Sequence, residues 1–187
     1  NSGHVRVYQN TGGAWTQIGA DIDGEAAEDK SGHSLSISAD GSIVAIGAYL
    51  NDGNGDASGH VRIYQNVEGA WTQIGVDIDG EAAGDGSGYS VSLSADGSIV
   101  AIGAPWNDGN STWSGHVRVY QNTGGTWTQI GADIDGEAAG DYSSEAISLS
   151  ADGSTVAIGA PENNGNGSFA GHVRIYHNTG GAWAQIG

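Results

Sequence analysis

Gly3-His4-Val5-Arg6 returns as Gly59-His60-Val61-Arg62, Gly115-His116-Val117-Arg118 and Gly171-His172-Val173-Arg174, each copy 56 residues after the last. Trp15, Trp71, Trp127 and Trp183 keep the same step. Gly171 to Gly187 repeats Gly3 to Gly19 with three substitutions in 17 positions. A fixed period of this length sets the architecture before any local reading. The 187 residues divide into a partial repeat, 1–19, holding the outer two strands of a blade, and three repeats at 20–75, 76–131 and 132–187.

Each unit contains four runs with a period of two, separated by turn residues. Tyr89, Val91 and Leu93 alternate with serines, which predicts a strand with one apolar face. Asp96-Gly97 then signals a short hairpin. Ile99 to Ala104 is apolar on both faces, as a strand buried between two layers must be. After the loop from Pro105 to Ser114, Val117 and Val119 alternate with His116, Arg118 and Tyr120. Gly124-Gly125 turns the chain into a fourth, outer strand carrying Trp127 and Gln129. The fold class is therefore all-β, with four-stranded antiparallel blades arranged as a β-propeller or as an open stack. The small residues Ala101, Gly103 and Ala104 would let neighbouring sheets approach closely.

Composition removes several function classes. A net charge of −17 with only five Lys and Arg argues against nucleic acid, since neutralising phosphates needs clustered cations. The absence of Cys excludes disulfides and thiolate metal sites. Apolar runs stay as short as Ile99-Val100-Ala101-Ile102, so neither a membrane span nor a signal peptide is legible. Asn1 in place of Met reads as a processed chain or an excerpt.

Gly88-Tyr89-Ser90-Val91, followed by Asp96-Gly97 and Gly103-Ala104-Pro105, resembles the FG-GAP repeat, the blade unit of integrin α-chain propellers and of many repetitive extracellular proteins. Tyr89 stands for the motif's Phe; His33 and Tyr49 depart from it in the first unit, and Ser144 and Glu145 in the third. The resemblance implies propeller blades and a place outside the cell or on its surface. Family members often carry a calcium loop between the first two strands. Here Ala39-Asp40-Gly41-Ser42, Ala95-Asp96-Gly97-Ser98 and Ala151-Asp152-Gly153-Ser154 offer one carboxylate each, far short of the six to eight oxygens of Ca²⁺.

Three further groups are candidate sites. Asp21, Asp23 and Glu25, with their copies Asp77, Asp79, Glu81 and Asp133, Asp135, Glu137, place three carboxylates within five residues; turn capping and Arg pairing are the first reading of this spacing, and ligation of a hard cation such as Ca²⁺ the second. No cofactor is required by this reading. The varied loops carry Trp106, Trp113 and Phe169, rings able to stack on sugar, pack on another subunit or fold over their own loop. Asn110-Ser111-Thr112 and Asn166-Gly167-Ser168 are N-glycosylation acceptors. His4, His60, His116 and His172, four of the six histidines, share a strand face with Arg6, Arg62, Arg118, Arg174 and the tyrosines beside them, which predicts a hydrogen-bonded ladder between sheets.

Every polar group recurs with its neighbours, and no lone nucleophile, base and orienting group stands out, so no catalytic residue and no enzymatic activity is expected. Three complete blades fall short of the roughly four that close a ring. The expectation is an extracellular structural or adhesive protein whose partners are copies of itself, head-to-tail or as a fibre. The alternative is a module that binds carbohydrate or an extracellular protein through its edge loops. Trp15, Trp71, Trp127 and Trp183 would be the packing keystones.

Overall fold

The computed structural model describes residues 2–187; Asn1, and the reading attached to it, lie outside the described residues. All regular structure is β, and all the strand pairs are antiparallel. The chain opens with β1 (His4–Val5), β2 (Tyr8–Thr11), β3 (Ala14–Gln17) and β4 (Ile22–Asp23), in which β1 pairs β4 and β2 pairs β3. The next sheet is a meander of β5 (Ser34–Ile37), β6 (Ile43–Ala48), β7 (His60–Val67) and β8 (Ala70–Gln73), to which β9 (Ile78–Asp79) adds along β7. A like sheet follows, from β10 (Ser90–Leu93), β11 (Ile99–Ala104), β12 (His116–Thr123), β13 (Thr126–Gln129) and β14 (Ile134–Asp135). The last contains β15 (Ala146–Leu149), β16 (Thr155–Ala160), β17 (His172–Thr179) and β18 (Ala182–Gln185).

The four expected strands of a blade are present, but two of the sheets hold a fifth. Ile134 lies opposite Val117 and Asp135 opposite His116, within a segment that sequence patterning reads as loop. Two residues are too few to show a period, yet Ile134 is buried between its exposed or half-buried aspartates. Its counterpart β9 likewise joins Ile78 and Asp79, at the start of the second repeat, to the sheet of the first.

Alternation along the strands sends each sheet's two faces to two different seams. Val44 and Ile46 of β6 pack with Val5, Val7 and Ile22. Ala45 between them points the other way, joining Val61 and Ile63 of β7 against Val91, Leu93, Val100 and Ile102. Ala101, Val117 and Val119 in turn meet Leu149, Val156 and Ile158. The buried second strand is thus a layer shared by two cores, which is why it is apolar on both faces.

Backbone closeness fixes two glycines. A Cβ on Gly103 would lie 2.6 Å from the Ser144 carbonyl oxygen of the next sheet. One on Gly75 would lie 2.6 Å from the Gly125 carbonyl and 3.0 Å from the Trp127 ring. The hairpin tips are joined as well, Ala39 N–H donating to Ala95 C=O and Ala95 N–H to Ala151 C=O, both at 2.8 Å.

Candidate functional site

The polar chemistry gathers where the third strand of one sheet faces the short strand and loop of the sheet before it. His60, at the start of β7, is 2% exposed, and its Nδ1 lies 3.9 Å from Glu25 Oε2 and 3.7 Å from Asp77 Oδ2. Glu25 follows β4 in the preceding sheet, whereas Asp77 precedes β9 of the same sheet as His60. The next seam repeats this with His116 Nδ1 at 3.9 Å from Glu81 Oε2 and 3.8 Å from Asp133 Oδ2. Arg62 Nη2 donates to the Asp23 carbonyl at 2.7 Å, and Arg118 Nη2 to the Asp79 carbonyl at 2.7 Å. Each guanidinium also stacks on a tyrosine, Arg62 on Tyr64 and Arg118 on Tyr120, 5.6 Å from the ring centre in both cases.

Burial is the leading influence on the histidines. It pushes His60 below the usual imidazole range, and it holds His116, with Arg118 adding to the effect, at about 4. Both rings are therefore neutral at neutral pH. The expected ladder between sheets is corrected in one respect: Arg62 and Arg118 do reach the preceding carbonyls, but the buried imidazoles of His60 and His116 make no hydrogen bond among the described residues, the nearest carboxylate oxygens being beyond 3.5 Å.

The carboxylates of one loop do not converge on one another. The groupings of ligand atoms within 4.8 Å among the described residues are Glu25, His60, Asp77 and Glu81, His116, Asp133, each drawn from two successive loops. Asp21 instead meets Arg6 at 2.9 Å and accepts from Gln17 at 2.8 Å. Asp23, Asp79 and Asp135 lie on the short strands. Glu137 pairs with Arg174.

The tryptophans staple neighbouring sheets. Nε1 of Trp71 donates to Ile18 C=O at 2.8 Å, that of Trp127 to Ile74 C=O at 2.9 Å, and that of Trp183 to Ile130 C=O at 2.8 Å. These three rings are half-buried, which is less than a core keystone, and Trp15 is 70% exposed.

The loop aromatics separate. Trp106 is half-buried and packs edge-on against Tyr49 and Tyr89. Trp113, 51% exposed, stacks on Tyr142 at 6.0 Å, while Phe169 is 68% exposed. Both sit in the left-handed region, with φ of 53° and 52°, their N–H groups held by Asp108 and Asn164 side chains. Of the glycosylation acceptors, Asn110 Nδ2 donates to Gly136 C=O at 2.9 Å and Glu137 C=O at 3.3 Å, so a linked sugar would displace one of these bonds. Asn166 is exposed, and among the described residues its side chain makes no hydrogen bond.

Sequence reasoning missed a buried carboxylate in each loop. Asp29, Asp85 and Asp141 are 2%, 4% and 1% exposed, and each accepts from an asparagine of the varied loop, Asn51, Asn107 or Asn163. The signal was available, because both partners recur at the 56-residue step.

No curated protein sequence matches the chain. Solved structures do match in fold. A Bacteroides uniformis protein described as a candidate 6-phosphogluconolactonase shares 15% identity, with a TM-score of 0.64 over 98% of this chain and 50% of its own. A second, from Bacteroides fragilis, gives 15%, 0.60, 89% and 40% in the same order. A hypothetical selenium-binding protein of Sulfolobus tokodaii gives 12%, 0.57, 91% and 46%. The chain spans about half the length of these proteins, and the likeness establishes an all-β, propeller-like fold. It also corrects the expectation that the chain is not an enzyme: two proteins with this fold are described by the name of one, so a scaffold of similar sheets does not by itself exclude catalysis. No helix among the described residues is long and apolar enough to cross a membrane. Residues 76–120 match the FG-GAP repeat family, the family that Gly88-Tyr89 and Gly103-Ala104-Pro105 resemble, and the chain therefore carries an FG-GAP repeat.

Proposed function

We propose that the chain is a structural or adhesive scaffold of 56-residue blades that stack face to face and extend by adding further copies, head-to-tail, outside the cell or at its surface. The FG-GAP match supports the location. One observation carries the assembly. Val117 and Val119 are 0% and 1% exposed within a seam, whereas Val173 and Ile175, their counterparts on the last sheet, are 67% and 41% exposed. At the opposite end Trp15 stands 70% exposed, although Trp71, Trp127 and Trp183 each hydrogen-bond to the sheet before. One end thus displays the donor, and the other the apolar face and the Ile186 carbonyl position, of the contact made three times inside the chain. A contact of this kind that does not close on itself generates a filament, and one that closes gives a ring.

Sedimentation velocity across a hundredfold range of protein concentration tests it, with electron microscopy of the heaviest species. Growth in mass that Val173→Asp and Trp15→Ala each suppress is the expected result. A monomer at every concentration would refute the assembly.

A second reading rests on Trp113 and Phe169, exposed rings held in a left-handed backbone at the same place in two loops. Such rings suit stacking on carbohydrate or an extracellular protein. A glycan array probed with the wild type and with Trp113→Ala separates this from assembly.

A further inference from the structure

We propose that the two complete seams each bind a divalent first-row transition cation, Zn²⁺ being the best fit, through Glu25, His60 and Asp77 in one and Glu81, His116 and Asp133 in the other. The three ligand atoms of each seam lie within 4.8 Å of one another. Tetrahedral zinc with bonds of about 2.0–2.1 Å places its ligand atoms roughly 3.4 Å apart. The histidine-to-carboxylate separations of 3.7–3.9 Å need to shrink by only a few tenths of an ångström. Glu25 and Asp77 are 46% and 27% exposed, so both can move and water can supply a fourth ligand. An imidazole with two carboxylates favours zinc over calcium, which wants more oxygens.

The division of labour among the oxygens is the stronger argument. Asp77 Oδ1 accepts from Gln73 at 2.6 Å, and Asp133 Oδ1 from Gln129 at 2.7 Å, while the Oδ2 atoms face the imidazole. Glu25 Oε1 lies 3.5 Å from Arg62 and Glu81 Oε1 3.8 Å from Arg118, while the Oε2 atoms face the imidazole. Each carboxylate is thus oriented through one oxygen and presents the other to a buried imidazole that makes no hydrogen bond among the described residues. Donors that orient a ligand in this way are a regular feature of metal sites.

The ends of the chain give the contrast. Arg6 closes on Asp21 Oδ2 through Nε and Nη2, both at 2.9 Å, and Arg174 closes on Glu137 Oε2. These are the oxygens that face histidine in the complete seams. At each of these positions the described residues bring only two of the three ligand types together, and arginine takes the place assigned here to the cation.

Calorimetric titration of the full chain with Zn²⁺, after stripping with a chelator and dialysis, tests the proposal, and Co²⁺ absorbance reports the coordination. Two ions per chain are expected for the wild type and for His172→Gln, one for His116→Gln, and none for His60→Gln with His116→Gln. Glu25→Gln with Glu81→Gln, at two partly exposed sites, provides the same loss should the histidine pair fail to fold by circular dichroism. Less than one ion per chain in the wild type, or two ions retained by a folded double variant, would overturn it.

Discussion

A complete seam and an end face of this molecule have nearly the same sequence and different surroundings. Val61 and Ile63 are 0% and 2% exposed, yet Val173 and Ile175, in the same strand position, are 67% and 41% exposed. His60 is 2% exposed where β9 pairs alongside it, and His172 is 25% exposed on β17, which no short strand joins among the described residues. Leu35 and Ile37, at 55% and 46%, show the same at the other end, because β1 to β4 include no strand equivalent to β6 to lie over them. The difference teaches that burial here is a property of the pair of sheets, so stability should be graded along the chain, as in other stacked repeats.

Substitution sharpens the comparison. Ile102→Ala empties a position 1% exposed in the middle seam and should cost about 2–5 kcal/mol in urea unfolding. Ile175→Ala, 41% exposed on the end face, should cost under about 1 kcal/mol. Equal losses would break the distinction. Trp71→Ala removes a half-buried ring and its bond to Ile18, for an expected loss of about 2 kcal/mol, whereas Trp15→Ala should leave unfolding unchanged. Ser90→Ala deletes the 2.6 Å bond to the Ser144 carbonyl across a seam and should cost about 1 kcal/mol in the same assay. Position 146, the counterpart on the last sheet, is already Ala, and Ala146→Ser should add nothing.

The smallest effect is one of pH. Asp40 and Asp152, held by serine hydroxyls and a backbone N–H, have their carboxyl groups lowered to about 2. A carboxylate depressed in the folded state contributes stability that is complete above its unfolded value near 4 and is lost as pH falls through about 2. Acid unfolding of Asp40→Asn should therefore show a shallower slope between about pH 4 and 2 than the wild type. An unchanged slope would show that the hairpin tips contribute nothing to acid sensitivity.

Much of the fold was legible because period-two patterning and the Asp-Gly and Gly-Gly turns are local signals. The double-sided burial of Ile99 to Ala104 was legible for the same reason, since a layer between two cores has no polar face. The short strand at Ile134–Asp135 was not, because its only mark is one apolar residue between two aspartates. The candidate site was half legible. The acidic loops and the histidines could be named, but their grouping joins Glu25 of one loop to Asp77 of the next, which local spacing does not encode. The exclusion of catalysis failed because it was drawn from repetition alone, and proteins of the same fold are described as enzymes.

The most direct test is hydrogen exchange at the indole N–H groups, read by NMR at low and high protein concentration. At low concentration Trp71, Trp127 and Trp183 should exchange slowly and Trp15 fast, and Trp15 should become protected as assembly sets in. Rapid exchange at all four positions at low concentration would contradict the seams themselves.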